Sequence, residues 1–189
     1  MRALLDVSQD KQQWAAFSKA ISEGMIAGLD EAGIAKEDFQ MVIAAVAQGL
    51  IAGTEALDQS LSDAEMTLMV AACSEGASKG VSEIGLAPEE LSQYVDDIAA
   101  GAGTSLVELN LSQETMDKME QEIGKSIKDG LAESGLTQVQ LDQIEQAATA
   151  VADASSTAAS LKASSTGAST TTTTPTGAST TTSTETPPQ

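Results

Sequence analysis

The stretch Ile84-Gly85-Leu86-Ala87-Pro88-Glu89-Glu90-Leu91 carries a complete stop-and-restart signal for a helix. Gly85 can enter the left-handed conformation that ends a helix without meeting a Cβ penalty. Pro88 suits a first helical position, where the missing N–H would have had no partner inside the helix. Glu89 and Glu90 put negative charge at the positive end of the new helix dipole. Leu86 and Leu91 stand five positions apart, the spacing of a hydrophobic staple that packs across the cap and fixes the angle at which the chain joins the helix.

Working outward, the same spacing recurs at Ile34…Phe39, Leu61…Met66, Leu111…Met116 and Leu136…Leu141. Ala35, Ser62, Ala87, Ser112 and Thr137 hold the capping position of the five copies. Ser62 with Glu65 and Thr137 with Gln140 have the spacing of capping boxes. Gly33 and Gly135 precede their staple residues as Gly85 does, and Asn110 takes the same place in its copy. The junctions predict helices over residues 9–32, 36–57, 63–84, 88–109, 113–134 and 138–153. Each full helix of about 22 residues would be roughly 33 Å long, and junctions this short turn consecutive helices antiparallel.

A second period lies within the first. Small residues four apart close the helices at Gly24/Gly28, Gly49/Gly53, Gly76/Gly80, Ala99/Gly103 and Ser126/Gly130. Gly28 to Gly80 is 52 residues and Gly80 to Gly130 is 50, so the larger unit is a helix pair of about 50 residues. A glycine inside a helix costs about 1 kcal/mol relative to alanine, and close helix–helix approach is the compensation expected. The expected fold is all-α: about six antiparallel helices as tandem αα-hairpins, a compact bundle or short solenoid. Residues 36–57 carry two stripes, Phe39, Val42, Ile43, Val46, Leu50, Ile51 and Leu57 on one and Ala45, Gly49, Ala52 and Ala56 on the other, as a helix buried on two sides requires. Residues 113–134 carry one apolar face, Met116, Met119, Ile123, Ile127 and Leu131. The opposite face, Lys118, Glu120, Lys125 and Lys128, reads as solvated.

The composition places the domain boundary at residue 155. Residues 1–155 read as the helical repeat domain. Residues 156–189 read as a disordered low-complexity tail, in which Thr166-Gly167-Ala168-Ser169-Thr170 returns as Thr176-Gly177-Ala178-Ser179-Thr180. Such a tail fits a linker or an O-glycosylated stalk, and together with the acidity it leans toward a secreted or cell-surface setting. The N-terminus shows no apolar signal-peptide core, which leans the other way.

Nine basic residues stand against 28 acidic, for a formal charge of −19. Such a surface repels phosphate, which argues against nucleic-acid binding, and it favours weak, non-specific association with cations. The longest nearly apolar run, residues 41–53, is too short to span a bilayer. There is no histidine and only one cysteine, Cys73. Imidazole catalysis, Cys/His zinc clusters and an internal disulfide are therefore ruled out. Cys73 lies among small apolar residues and reads as a buried packing residue. Trp14 and Phe17 read as core anchors of the first helix. Asp96/Asp97 and Glu89/Glu90 are adjacent, diverge by about 100° around a helix, and read as solvated carboxylates. A calcium loop ending at Glu65 would need oxygen ligands at Thr54, Ala56 and Asp58, and alanine cannot serve. Asn110-Leu111-Ser112 is a formal glycosylation sequon placed on a helix junction.

No catalytic, cofactor-binding or metal-binding residues emerge, and no cofactor is implied. The reading is a non-enzymatic helical-repeat module, structural or protein-interacting, that meets a protein partner or copies of itself. The alternative is a small-molecule or lipid carrier whose methionines, Met25, Met41, Met66, Met69, Met116 and Met119, line an apolar cavity between helices.

Overall fold

The computed structural model describes residues 11–33, 45, 49, 62–109 and 111–167. Among them the regular structure is entirely helical, with no strand: α1 (Lys11–Glu31), α2 (Asp63–Glu83), α3 (Pro88–Leu106), α4 (Gln113–Gly130) and α5 (Gln138–Gly167). The helix expected over 36–57 lies outside the described residues except for Ala45 and Gly49, which are helical and exposed. Of the tail expected over 156–189, residues 168–189 lie outside them, as do the staple Ile34…Phe39 and Asn110 of the sequon; residues 156–167, expected to be disordered, are helical.

The stop signals act where the sequence puts them. Gly33, Gly85 and Gly135 have φ of 66°, 72° and 82°, the left-handed region that favours glycine. The restarts follow. The Glu65 carboxylate accepts the Ser62 N–H at 2.8 Å and the Ser62 hydroxyl at 2.7 Å. At Thr137 the box is reciprocal: Gln140 Oε1 accepts the Thr137 N–H at 3.0 Å, and the Gln140 N–H donates to Thr137 Oγ1 at 3.4 Å. Ser112 caps as its position predicts, its Oγ accepting the Thr115 N–H at 3.2 Å, and Glu90 adds a bond from the Ala87 N–H at 3.3 Å.

The helix ends differ from expectation in two places. α4 stops at Gly130 rather than near 134, because the chain turns at Leu131, whose carbonyl takes the Ser134 N–H at 2.9 Å. α5 continues to Gly167, well beyond the expected 153. Its Ala152 and Ser156 are buried against neighbouring helices, and that packing overrides the weak helix preference of the Ser/Thr-rich stretch.

α1 packs chiefly on α2, α2 on α4, and α3 on α5; of the consecutive pairs α4–α5 also packs closely, while α2–α3 and α3–α4 touch less. The register shows the directions. Lys19 pairs with Glu75 and Glu23 with Lys79, so α1 and α2 run parallel. Thr115 donates to Asp63 near the start of α4 while Gly130 abuts Ser78 near its end, so α2 and α4 run parallel too. α4 and α5 are antiparallel, since Lys128 meets Asp142 and Glu120 meets Ser156.

Glycine makes these approaches close. A Cβ on Gly80 would lie 2.8 Å from the Glu23 carbonyl oxygen, and one on Gly130 2.9 Å from Ser78 Cβ. On Gly103 it would lie 2.8 Å from Ala152 Cα, and on Gly124 2.6 Å from the Glu145 carbonyl oxygen. Gly76 is pressed against the Lys19 backbone in the same way. The lost side-chain volume brings backbones together, which offsets the low helix propensity. Serines share these seams: Ser22 and Ser78 are buried and donate to the carbonyls of Ser18 and Ser74, each at 2.8 Å, the i−4 bond that satisfies a hydroxyl within a helix. Between the helices one core joins Ile26, Val70, Ile98, Leu106, Ile123 and Leu131 among others, each side chain contributing about 2 kcal/mol by leaving water. Tyr94, unremarked in the sequence, is in this core at 4 % exposure, whereas Trp14 and Phe17 are only half-buried. The two aromatics of α1 are therefore not the anchors expected; aliphatic and small side chains fill that place.

Candidate functional site

A concavity lined largely by polar side chains lies between α4 and α5. It has a volume of about 560 Å³ and is lined by Asp117, Glu120, Gln121, Glu145, Gln146, Thr149, Ala150 and Asp153. Its position follows from the helix rows. Glu120, Gly124 and Lys128 recur every four residues on α4 and so share one face. Gly124 lets the Glu145–Thr149 segment of α5 approach, and the residues on either side hold the rest of the seam.

The two ends of that seam have opposite electrostatics. At one end Lys128 Nζ donates to Asp142 Oδ1 and Glu145 Oε2, each at 2.7 Å. Hydrogen bonds to these two carboxylates hold the Lys128 ammonium well above the ordinary lysine range, and the same bond from Lys128, with one from Gln138, holds Asp142 low. At the other end Glu120 is 3 % exposed. Its Oε1 accepts the Ser156 hydroxyl at 2.5 Å. Burial pushes its carboxyl up, the Ser156 hydrogen bond draws it down, and the negative charges of Asp153 and Asp117 push it up again.

Glu120 therefore does not sit on the solvated face of its helix. The sequence places it beside Lys118 and Lys125, and one residue past the apolar Met119. The structure shows that α5 covers it, and only the length of α5 decides that. A signal was present: Glu120 stands one turn before Gly124, in the row where a partner helix must approach. The pair Asp96/Asp97 is also corrected. Both are half-buried on α3, and burial raises both carboxyls, with Asp96 further raising Asp97. Asp97 Oδ2 finds no hydrogen-bond partner among the described residues.

Cys73 is fully buried, with its thiol pushed up to about 12 by burial despite hydrogen bonds with Ser22 and Ser18. It is a packing residue of the α1–α2 seam. Met69 and Met119 are buried in the helix interior at 2 % and 0 % exposure, while Met25 is 45 % exposed on α1. A smaller hollow of about 270 Å³ beside Ser92, Leu136, Gln140, Gln143, Ile144 and Ala147 is mixed in character.

Among the described residues no group of three or more His, Cys, Asp or Glu side chains is placed to hold a metal ion, and no helix is long and apolar enough to cross a membrane. No protein-family model and no curated protein matches the chain.

Proposed function

We propose that the chain is a non-enzymatic helical-repeat module, six helices in tandem pairs, whose unfilled end face receives a copy of itself or another protein. The observation carrying this reading is a difference among equivalent glycines. Gly24 and Gly28 of α1 stand 52 residues before Gly76 and Gly80 of α2. The α2 glycines receive the backbone of α1, and Gly130 of α4 receives that of α2. Gly24 and Gly28 are exposed, and among the described residues nothing lies within 4 Å of where their Cβ atoms would be. The same α1 surface carries Ala16, Ala20 and the exposed Met25. Repeat stacks bury each unit against its neighbours, so a small-residue row that no described residue fills is a surface of the kind the stack uses internally. The opposite end is polar: Lys118, Gln121, Lys125 and Asp129 are exposed on α4.

The Thr-rich C-terminal residues extend the reading, as a linker or stalk that spaces the module from an attachment point. Core positions for Met69 and Met119 favour packing over the alternative, an apolar carrier cavity.

Sedimentation velocity over a wide concentration range, with affinity capture of native partners, tests the proposal. Association or capture that is lost in the double variant Gly24→Leu/Gly28→Leu, with the circular-dichroism spectrum unchanged, is the expected result. A wild-type chain that stays monomeric and captures nothing, or binding indifferent to the two substitutions, overturns it.

A further inference from the structure

The seam between α4 and α5 is held differently along its length. Near Lys128 two carboxylates share an ammonium. Two turns earlier on α4, Glu120 is nearly excluded from water, and among the described residues its carboxylate receives the Ser156 hydroxyl alone. The charges acting on it are both negative, Asp117 from its own helix and Asp153 from α5. Among the described residues the groove beside it is lined by α4 and α5. The nearer lysines of α4 are engaged elsewhere, Lys118 with Glu114 at 2.7 Å and Lys128 with Asp142 and Glu145. A buried carboxylate facing two like charges stays ionised at a cost that protonation removes.

We propose that the Glu120–Ser156 contact is an acid-tightened latch, which clasps the C-terminal half of α5 onto α4 when Glu120 takes up a proton. The proton comes from solvent and binds a carboxylate oxygen of Glu120. The neutral acid can donate to Ser156 Oγ, whose own proton then turns to the Asp153 carbonyl oxygen 3.0 Å away, and its repulsion of Asp153 and Asp117 ends. The sign follows from linkage: burial and like charges raise the Glu120 carboxyl in the closed state, so that state binds the proton more tightly than an open one does. Closure is therefore favoured as pH falls through the raised value, and the advantage is lost as pH rises above it. The segment controlled is the part of α5 from Asp153 onward, whose outer face is already exposed at Leu161.

The test is amide hydrogen exchange on the full chain at about pH 7.5 and pH 5.0, corrected for intrinsic exchange. Residues 153–163 of the wild type should gain protection at the lower pH, up to about tenfold for each unit by which closure raises the carboxyl. Glu120→Gln imitates the protonated side chain and should show high protection in this segment at both values. Asp153→Asn removes one repelling charge while leaving Glu120 in place; it should raise protection at neutral pH and shrink the response, and it serves should Glu120→Gln not fold. Equal wild-type protection at the two pH values, protection that falls on acidification, or an undiminished pH response in the variants overturns the latch.

Discussion

Gly76 and Gly24 occupy equivalent repeat positions, yet the same substitution should move stability in opposite directions at the two. A Cβ on Gly76 would lie 2.9 Å from Lys19 Cα and closer still to that residue's carbonyl, so α1 and α2 must separate. Overpacking of this kind costs about 1–3 kcal/mol, more than the propensity gain returns. Gly24 has no described atom within 4 Å of where its Cβ would be, and alanine there should stabilise by up to about 1 kcal/mol through helix propensity alone. Urea midpoints of Gly76→Ala and Gly24→Ala against wild type decide the matter; matching shifts would show that the α1–α2 approach is looser than described. Cys73 offers a second residue-scale check. With its thiol raised to about 12 by burial, the native chain should not react with an aromatic disulfide reagent at pH 8, because the thiolate is the nucleophile. Reaction should appear on unfolding in urea.

At the scale of the element, the junctions were legible and the helix ends were not. Glycine, cap and staple are local features, so the starts at Asp63, Pro88, Gln113 and Gln138 follow from the sequence alone. The continuation of α5 does not. Ser155, Ser156 and Thr157 prefer no particular helix, and the contacts that keep them helical come from α4 and α3, far away in sequence. The same blindness hid the candidate site: Glu120 reads as polar surface until Ser156 is known to cover it, and Asp97 reads as solvated until α3 is packed. The alternate-helix stacking was likewise invisible to a search for junctions, although the 50-residue glycine period pointed to it. Two element-scale outcomes follow. Gly135→Ala, placed at φ 82°, should cost about 1–2 kcal/mol because the Cβ crowds a carbonyl oxygen, and thermal unfolding will show it. A chain ending after residue 155 should be less stable than one ending after residue 167, and its α4 amides around Glu120 should exchange faster. If the two lengths melt together, the C-terminal half of α5 contributes nothing to the fold.

For the whole molecule the governing quantity is charge. A formal −19 means self-repulsion in the folded state, and raising salt from about 0.02 M to 0.5 M shortens the Debye length from roughly 20 Å to about 4 Å. The melting temperature should therefore rise with salt at pH 8. The pH dependence has a sign set by particular groups. Asp96, Asp97 and Glu120 have carboxyls raised in the folded state, chiefly by burial. The stabilisation from protonating them is complete below their unfolded values and disappears as pH climbs past the raised folded ones. Glu114 and Asp142 are lowered by their bonds to Lys118 and Lys128; their contribution is present above the unfolded values and lost as pH falls through the lowered ones, and it is small because these pairs are exposed. Melting temperature should then increase from pH 8 toward about pH 5, and the salt effect should shrink over the same interval as carboxylates are neutralised. Asp97→Asn, which leaves the fold's charge less negative by one and removes a raised carboxyl, should flatten part of that slope. A melting temperature that falls steadily from pH 8 to pH 5 at fixed salt would mean that paired carboxylates, not buried unpaired ones, dominate the proton linkage, and the burial described for Asp97 and Glu120 would then be wrong.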